Sequence, residues 1–298
     1  MTLPLPGWGS RAVFHPGHHD EVLTRPGLAK SRRAAVLTLR TLRRHTSAPC
    51  GGQLEITSNV PHGVGMGSST SDVTATIRAV ADHHGLALSC EDVGRLAVQA
   101  ESASDSIMID DRVVLFAHRD GVVLENLGHR LPPLVIVGAN TDPGASVDTL
   151  GSPQADYDDD ELACFRVLRA GLRRAVATGD VALLGRVATA SARVNQRFLP
   201  KASLSDLIEL SRRLGGAGVQ VAHSGTVAGL ILDARGPGIE ETVAQCAEGI
   251  EALGLAVTTV IRIGQTAAAD RVAAGRTPVP SGYDALGDRP ADHAEVSA

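Results

Sequence analysis

Aromatic side chains are almost absent from this sequence: Phe, Trp and Tyr together make up 2% of its 298 residues. A protein that stacks the bases of single-stranded nucleic acid needs such rings, so that class is set aside. Positive charge is not in excess either. The formal net charge is −5 and lysine occurs only at Lys30 and Lys201, which argues against a general nucleic-acid binder. The four cysteines, Cys50, Cys90, Cys164 and Cys246, are scattered with no CxxC pair. That fits reduced thiols better than a disulfide framework or a zinc site. No apolar run approaches the length of a transmembrane helix, and the first ten residues lack the charged and apolar regions of a secretory leader. The expectation is a cytoplasmic protein without membrane or nucleic-acid partners, monomeric or homodimeric.

What the chain does hold is apolar residues at 43%, enough for a sizeable core and two subdomains. Its most informative stretch is Pro61-His62-Gly63-Val64-Gly65-Met66-Gly67-Ser68-Ser69-Thr70-Ser71-Asp72. Three glycines at alternate positions run into a hydroxyl cluster and then a helical pattern over residues 70–84, with Val73, Ile77, Val80 and Ala81 on one face. Glycine lets the backbone turn sharply and approach a ligand, because no Cβ intervenes. The first turn of a helix presents unpaired N–H groups and a partial positive charge, a natural anion site. The stretch therefore reads as a nucleotide-phosphate loop. The competing reading is a glycine-rich strand-to-helix turn with a Ser/Thr N-cap. It is neither a P-loop, which needs a Lys-Ser/Thr pair, nor the GxGxxG dinucleotide fingerprint.

Taken in order, residues 1–26 are rich in Pro, Gly and His and read as a solvated loop, with a metal site at His15, His18 and His19 as the alternative. A basic helix is expected over residues 30–44, with Ala34, Leu37, Thr38 and Leu42 inward and Lys30 placed to reach an anion at its start. Residues 53–58 alternate as a half-buried strand that feeds the glycine loop. A helix over residues 89–103 with Ser89 as cap leads to Glu101 and Asp105. Residues 112–117 and 121–127 form a hairpin about Asp120-Gly121, and residues 134–137 a buried strand. The run Asp158-Asp159-Asp160 is either an acidic metal site or the acidic first turn of a helix over residues 159–178. Helices over residues 181–195 and 203–214 follow. A second glycine cluster, Gly215-Gly216-Ala217-Gly218, opens a strand–turn–strand through His223-Ser224-Gly225-Thr226. A helix over 239–253 and a strand over 256–263 complete the pattern, and residues 267–298 lack periodicity and read as a flexible tail. The mixture of helices and hairpin-paired strands gives α+β, with two subdomains meeting near residues 130–150.

Taken together, PHGVGMGSSTSD and GGAGVQVAHSGTVAGL resemble the GHMP small-molecule kinase superfamily, with Met66 where the family usually has Leu. More narrowly, the glycine run, the Ala222–Thr226 turn, Ser191-Ala192 with Asn195-Gln196, and Val147-Asp148-Thr149-Leu150 resemble the L-threonine kinase branch associated with cobalamin biosynthesis. The likeness spans roughly residues 1–265. It implies a two-domain fold: an N-terminal ribosomal-protein-S5-like domain over residues 1–130, a C-terminal ferredoxin-like domain over 131–266, and the tail beyond. It implies ATP and Mg²⁺ as cofactors and phosphoryl transfer to the hydroxyl of a small metabolite, L-threonine first, serine or homoserine next. By resemblance, Pro61, Gly63, Gly65, Met66, Gly67, Ser68, Ser69 and Thr70 would hold ATP. Ser69 and Glu101 would meet the metal, and Asp105 would orient or deprotonate the substrate hydroxyl, with Lys30 adding positive charge. Gly218, His223, Ser224, Gly225 and Thr226 would close over phosphate or substrate, His223 either as an acid/base group or as a residue holding the turn. Family members carry an N-terminal strand and a Gly- and Glu-bearing loop ahead of the segment matching residues 1–5, so the expectation is either a true start upstream or the lack of an edge strand and part of the substrate pocket. The branch also tends to have Glu-Pro-Thr/Ser-Asp where this chain has Glu101-Ser102-Ala103-Ser104-Asp105, one residue longer. The alternatives are a nucleotide-binding homologue without catalysis and a kinase of the same fold for another alcohol.

Overall fold

Where the sequence reads as a solvated loop near its start, the chain forms a strand. The computed structural model describes residues 2–3, 7–18, 21–42, 51–61, 63, 65–144, 156–222 and 225–264. In it β1 (Ser10–Gly17) pairs antiparallel with β3 (Gly51–Ser58), placing Phe14 opposite Leu54 and Ala12 opposite Ile56. The short β2 (Val22–Leu23) runs parallel on the other edge of β3. Only Phe14 of β1 is buried, so the strand shows no clean alternation of its own and is specified by its partner. Among the described residues no group of three potential metal ligands exists; His19, the third histidine of the alternative reading, lies outside the described residues.

Two helices, α1 (Ala29–Leu42) and α2 (Ser68–His83), cover this sheet, and α3 (Cys90–Glu101) packs on both of them. Phe14, Leu54 and Ile56 from the strands meet Ala35, Leu39 and Val80 from the helices in one core. Ala34, Val73, Ile77 and Ala97 form an adjoining one with Met108. A hydroxyl–carboxylate tie crosses between the layers. Ser10 Oγ lies 2.5 Å from Oδ1 of the buried Asp72 and 3.0 Å from Ser58 Oγ, which fixes the start of α2 against β1. The expected hairpin follows as β4 (Val113–Ala117) and β5 (Val122–Gly128), turning at Gly121 with φ 70°.

The remaining strands make one antiparallel sheet, ordered β7 (Gly218–Val221), β8 (Val227–Asp233), β6 (Leu134–Asn140) and β9 (Ala256–Ile263). With α6 (Leu204–Arg213) between β6 and β7 and α7 (Ile239–Ala252) between β8 and β9, the order is that of a split β-α-β-β-α-β unit. Val135, Val137, Leu230 and Leu232 face α6 and α7, meeting Leu207, Leu210, Cys246 and Ile250. At one end of the opposite face, Leu134, Ile136 and Ile231 pack on Leu184 of α5 (Val181–Asn195) and Ala175 of α4 (Asp159–Thr178). The α5–β7 contact is close: a Cβ on Gly185 would stand 2.2 Å from the Ala217 carbonyl oxygen.

The acidic run resolves as helix chemistry. Asp158 caps α4, accepting from Glu161 N at 2.8 Å, while Glu161 accepts from Asp158 N in a reciprocal capping box. Asn195 and Gln196, two residues of the resemblance, lie at the end of α5. Gln196 there exchanges two hydrogen bonds with the Lys201 backbone and shapes the turn into α6. Cys90, Cys164 and Cys246 are free thiols; Cys246 is buried, its pKa pushed up to about 11 by desolvation, and Cys50 lies outside the described residues. Residues up to 264 form one compact unit, and the tail expected over residues 267–298 lies outside the described residues. Among the described residues no helix is long and apolar enough to cross a membrane.

Candidate active site

The glycine loop owes its shape to three left-handed residues: Gly63, Gly65 and Gly67 have φ of 81°, 81° and 75°. Side chains at these positions would be strained, which explains the alternate spacing. The helix that follows begins at Ser68, earlier than its apolar pattern suggests. Its N-cap is Gly67 rather than a serine or threonine, and no side chain caps it. Helices α3, α4 and α5 are capped by Ser89, Asp158 and Asp180. The first-turn amides of α2 therefore carry their partial positive charge without a side-chain acceptor, as an anion-binding terminus requires. Pro61 and Gly63 are exposed at the mouth of the loop, Met66 half-buried; His62 and Val64 lie outside the described residues.

The hydroxyls of the first turn point to α3. Ser69 donates to Glu101 Oε2 and Thr70 to Glu101 Oε1, each at 2.8 Å. The sequence assigns Thr70 to ATP; its hydroxyl in the structure serves two carboxylate-bearing residues, since it also accepts from the Asp105 backbone N–H at 3.4 Å. Thr70 thus sets the position of Asp105 relative to Glu101. The extra residue of the Glu101–Asp105 segment is absorbed at Ser102, the one non-glycine residue with positive φ (67°) among those described. Such a conformation costs roughly 1–2 kcal/mol and persists where surrounding contacts impose it.

Glu101 is 3% exposed. Burial lifts its carboxyl above the ordinary carboxylate range, opposed by the hydroxyls of Ser69, Thr70 and Ser104 and by the charge of Lys30. Its hydrogen-bond partners are neutral hydroxyls, so the ionised form lacks a full counter-charge in contact with it. A desolvated carboxylate beside a serine hydroxyl at an anion-binding terminus fits a hard divalent cation that also takes phosphate oxygens, as Mg²⁺ does. Lys30 is half-buried and acts on Glu101 electrostatically.

Asp105 lies against the glycine loop. A Cβ on Gly67 would sit 3.2 Å from Asp105 Oδ2, and Thr2 Oγ1 donates to Asp105 Oδ1 at 3.2 Å. His118 is near enough for the Asp105 charge to favour its protonated form, though desolvation and Arg119 win and lower its pKa. Asp105, Gly65, Met66 and Gly67 share one open cleft with Gly138, Gln220 and Thr259 of the four-stranded sheet. The sequence reading missed Thr2, Ser104 and Gln220. Asp72, quoted in the motif without a role, is the anchor between α2 and β1.

Of the second-domain residues, Gly218 packs against α5, where a Cβ would meet the Gly185 carbonyl oxygen at 2.3 Å; it does not line the cleft. Thr226 is buried, and its carbonyl accepts from Thr141 N at 2.9 Å and Thr141 Oγ1 at 2.6 Å. Gly225 is buried beside it, and its neighbours Ala222 and Val227 border the cleft. His223 and Ser224 lie outside the described residues, as does the 147–150 segment of the resemblance.

Residues 32–114 match the family described as GHMP kinases N terminal domain. Solved structures extend the likeness across both sheets. A homoserine kinase from Cytophaga hutchinsonii superposes with a TM-score of 0.61 at 17% identity, covering 85% of each chain. The fold is that of the GHMP kinases. A phosphomevalonate kinase from Streptococcus pneumoniae, in complex with phosphomevalonate and AMPPNP, gives a TM-score of 0.65 at 13% identity over 85% of this chain and 90% of that one. At such identities these GHMP structures speak for the fold alone. Among curated proteins, an L-threonine kinase of Salmonella typhimurium is 28% identical over 184 residues, 61% of this chain and 60% of its own length. An L-threonine kinase of Citrobacter freundii is 29% identical over 195 residues, 61% of this chain and 62% of its own length. This chain thus spans about three fifths of the curated relatives it matches. Its resemblance to the GHMP superfamily, on the side of the L-threonine kinases, holds.

The Gly67–Asp105 contact carries a prediction. Gly67→Ala adds a Cβ at a left-handed position and presses it on Asp105 Oδ2. Displacing a reacting group by a fraction of an ångström costs on the order of 10- to 100-fold in turnover. Steady-state kcat is expected to fall by that factor with the circular dichroism spectrum retained. An unchanged kcat would detach Gly67 from the placement of Asp105.

Proposed function

We propose that this chain is an ATP-dependent small-molecule kinase and that its substrate is L-threonine, phosphorylated on the side-chain hydroxyl. The observation that carries the reading is the placement of the Asp105 carboxylate against Gly67, at the uncapped N-terminus of α2, in a cleft walled by the second sheet. Phosphoryl transfer asks little covalent chemistry of a protein. It asks for charge stabilisation, alignment and a place for one proton. In this reading residues 1–130 hold the nucleotide and residues 131–266 supply the facing wall.

The backbone amides of Gly65, Gly67, Ser68 and Ser69 bind the triphosphate, with the partial positive charge of α2 behind them. Glu101 and the Ser69 hydroxyl hold Mg²⁺, which when bound neutralises charge on the terminal phosphates. Thr70 keeps Glu101 and Asp105 in fixed relation through its single hydroxyl. Asp105 accepts a hydrogen bond from the substrate hydroxyl, aligns its oxygen for in-line attack and takes its proton as the O–P bond forms. Thr2, donating to Oδ1, leaves Oδ2 on the glycine-loop side for that hydroxyl. Lys30 adds positive charge from the start of α1. The likeness to L-threonine kinases supports threonine over other alcohols.

The test is direct. Purified protein with ATP and Mg²⁺ is offered L-threonine, L-serine and L-homoserine while ADP release is followed and the product identified by phosphorus NMR. Turnover is expected with at least one of them, threonine fastest. No turnover on any of the three removes the amino-acid kinase reading.

A further inference from the structure

The floor of the cleft is built as one row across four strands. Gln220 of β7 pairs with Gly229 of β8, Gly229 with Gly138 of β6, and Gly138 with Thr259 of β9. Residues directly opposite in an antiparallel sheet present their side chains on the same face, so this row faces the cleft that Gln220, Gly138 and Thr259 line. Of the two glycines at its centre Gly138 lines the cleft, while Ile136 Cγ2 lies 2.6 Å from where a Gly229 Cβ would stand and covers that position.

Both ends hold a polar atom that the fold does not satisfy. Gln220 Oε1 is buried without a hydrogen-bond partner, and so is Thr258 Oγ1. Thr258 reaches the row because β9 bulges there: Gly138 pairs with Thr259, but Ala139 pairs with Val257, which leaves Thr258 as the extra residue. A bulge re-aims a side chain that regular pairing would turn away. Each side chain leans over its own glycine. A Cβ on Gly229 would stand 3.6 Å from Gln220 Nε2, and a Cβ on Gly138 would stand 3.2 Å from Thr258 Oγ1. Paired residues in such a ladder lie about 5 Å apart.

Buried polar groups normally have partners, and two orphans beside one cleft, on Gln220 that lines it and on Thr258 next to Thr259 that does, call for a ligand that supplies them. The charge of the wall selects which. Among the described residues lining the cleft the one charged side chain is Asp105, which is anionic, and an amide carbonyl is an acceptor. We infer that Gln220 and Thr258 form the recognition site for the amino-acid head of the substrate. Gln220 Oε1 accepts from the α-ammonium and the Thr258 hydroxyl donates to the α-carboxylate, with the backbone between them lying against Ile136 and Gly138 of the cleft wall. The hydroxyl to be phosphorylated then projects toward Asp105 on the opposite wall. The inference rests on the kinase reading above for its substrate class, but its own content is which groups of the ligand are read and by what.

Three probes separate the groups: L-threonine, 3-hydroxybutanoate, which lacks the amino group, and 1-amino-2-propanol, which lacks the carboxylate. Their dissociation constants are measured by calorimetry on the full chain with a non-hydrolysable ATP analogue present. The parent protein is expected to bind L-threonine at least ~10-fold more tightly than either analogue, the scale of one hydrogen bond to a charged group. Gln220→Met should bring L-threonine within ~3-fold of 3-hydroxybutanoate while the preference over 1-amino-2-propanol stays. Thr258→Val should do the reverse, and Gln220→Glu, which still accepts, should keep the amino preference. If the Met variant does not fold, Gln220→Ala gives the same comparison without added bulk. Failure of the parent to bind L-threonine, absence of a preference, or a preference untouched by the Gln220 variants overturns the assignment. The kinase reading is judged separately by ADP release with the same protein. Transfer to another alcohol without threonine binding leaves that reading standing and this one refuted. Group-specific binding without transfer does the opposite.

Discussion

Asp105→Asn is expected to lower kcat for phosphoryl transfer by about 10²–10⁴-fold while ATP affinity stays within a few-fold of the parent value. Asparagine matches the carboxylate in shape, so the contacts at Thr2 and Gly67 can persist. What is lost is the negative charge and the ability to take a proton from the attacking hydroxyl. In the proposed function the nucleotide is held elsewhere, by loop and helix amides, so its binding should not depend on that charge. The pair of measurements is steady-state ADP release with L-threonine and calorimetric titration of ATP. A kcat within ~3-fold of the parent would take Asp105 out of the chemistry. A parallel loss of ATP affinity would make it a nucleotide-site residue instead.

Glu101→Gln should separate stability from activity. The Glu101 carboxyl is raised in the folded protein because burial disfavours its charge. A group whose folded pKa lies above its unfolded value contributes stability that is full below the unfolded pKa, near 4.5, and lost as pH rises through the folded one. Ionisation of Glu101 therefore destabilises the ligand-free protein. Glutamine keeps the size and removes the charge. The variant should melt higher than the parent at pH 7 without ligands, as a thermal melt would read. The difference should shrink as pH falls toward 4.5. With ATP and Mg²⁺ the parent should regain the difference, because a bound cation supplies the counter-charge that the hydroxyls of Ser69 and Thr70 do not. Turnover should meanwhile drop by at least ~100-fold, the upper end of what loss of a supporting metal-site residue costs. A variant that melts lower than the parent at pH 7 would mean that the carboxylate is structurally required and not a poised ligand.

Much of the secondary structure was legible residue by residue. The helices α4, α5, α6 and α7 fall where the periodicity places them, as do the β4–β5 hairpin and the strands β6, β8 and β9. Their signals are local: a capping aspartate, an Asp-Gly turn, a run of β-branched residues between breakers. The strand β1 was not legible. Ser10–Gly17 carries a proline and a single buried apolar residue, and it becomes a strand because Gly51–Ser58 offers its edge, forty residues away in sequence. The start of α2 was misjudged for a related reason. Its hydroxyl cluster looks like capping chemistry, yet Ser69 and Thr70 turn to Glu101, which reaches them from another helix.

The sequence by itself determined a glycine-rich turn leading into a helix: glycines at 63, 65 and 67 tolerate the left-handed backbone found there, a local signal that a phosphate loop and a capped turn share. It also determined that Glu101 and Asp105 stand near one another along the chain. Tertiary structure decided how they act. The Thr70 hydroxyl sets their relation, Ser102 takes up the extra residue in a left-handed turn, and burial makes one carboxylate a desolvated charge while the other opens on the cleft. Only strand register brought Gln220, Gly229, Gly138 and Thr259 into one row, and only a bulge turned Thr258 toward it. Register depends on pairing between distant strands, and no window of the sequence contains both partners.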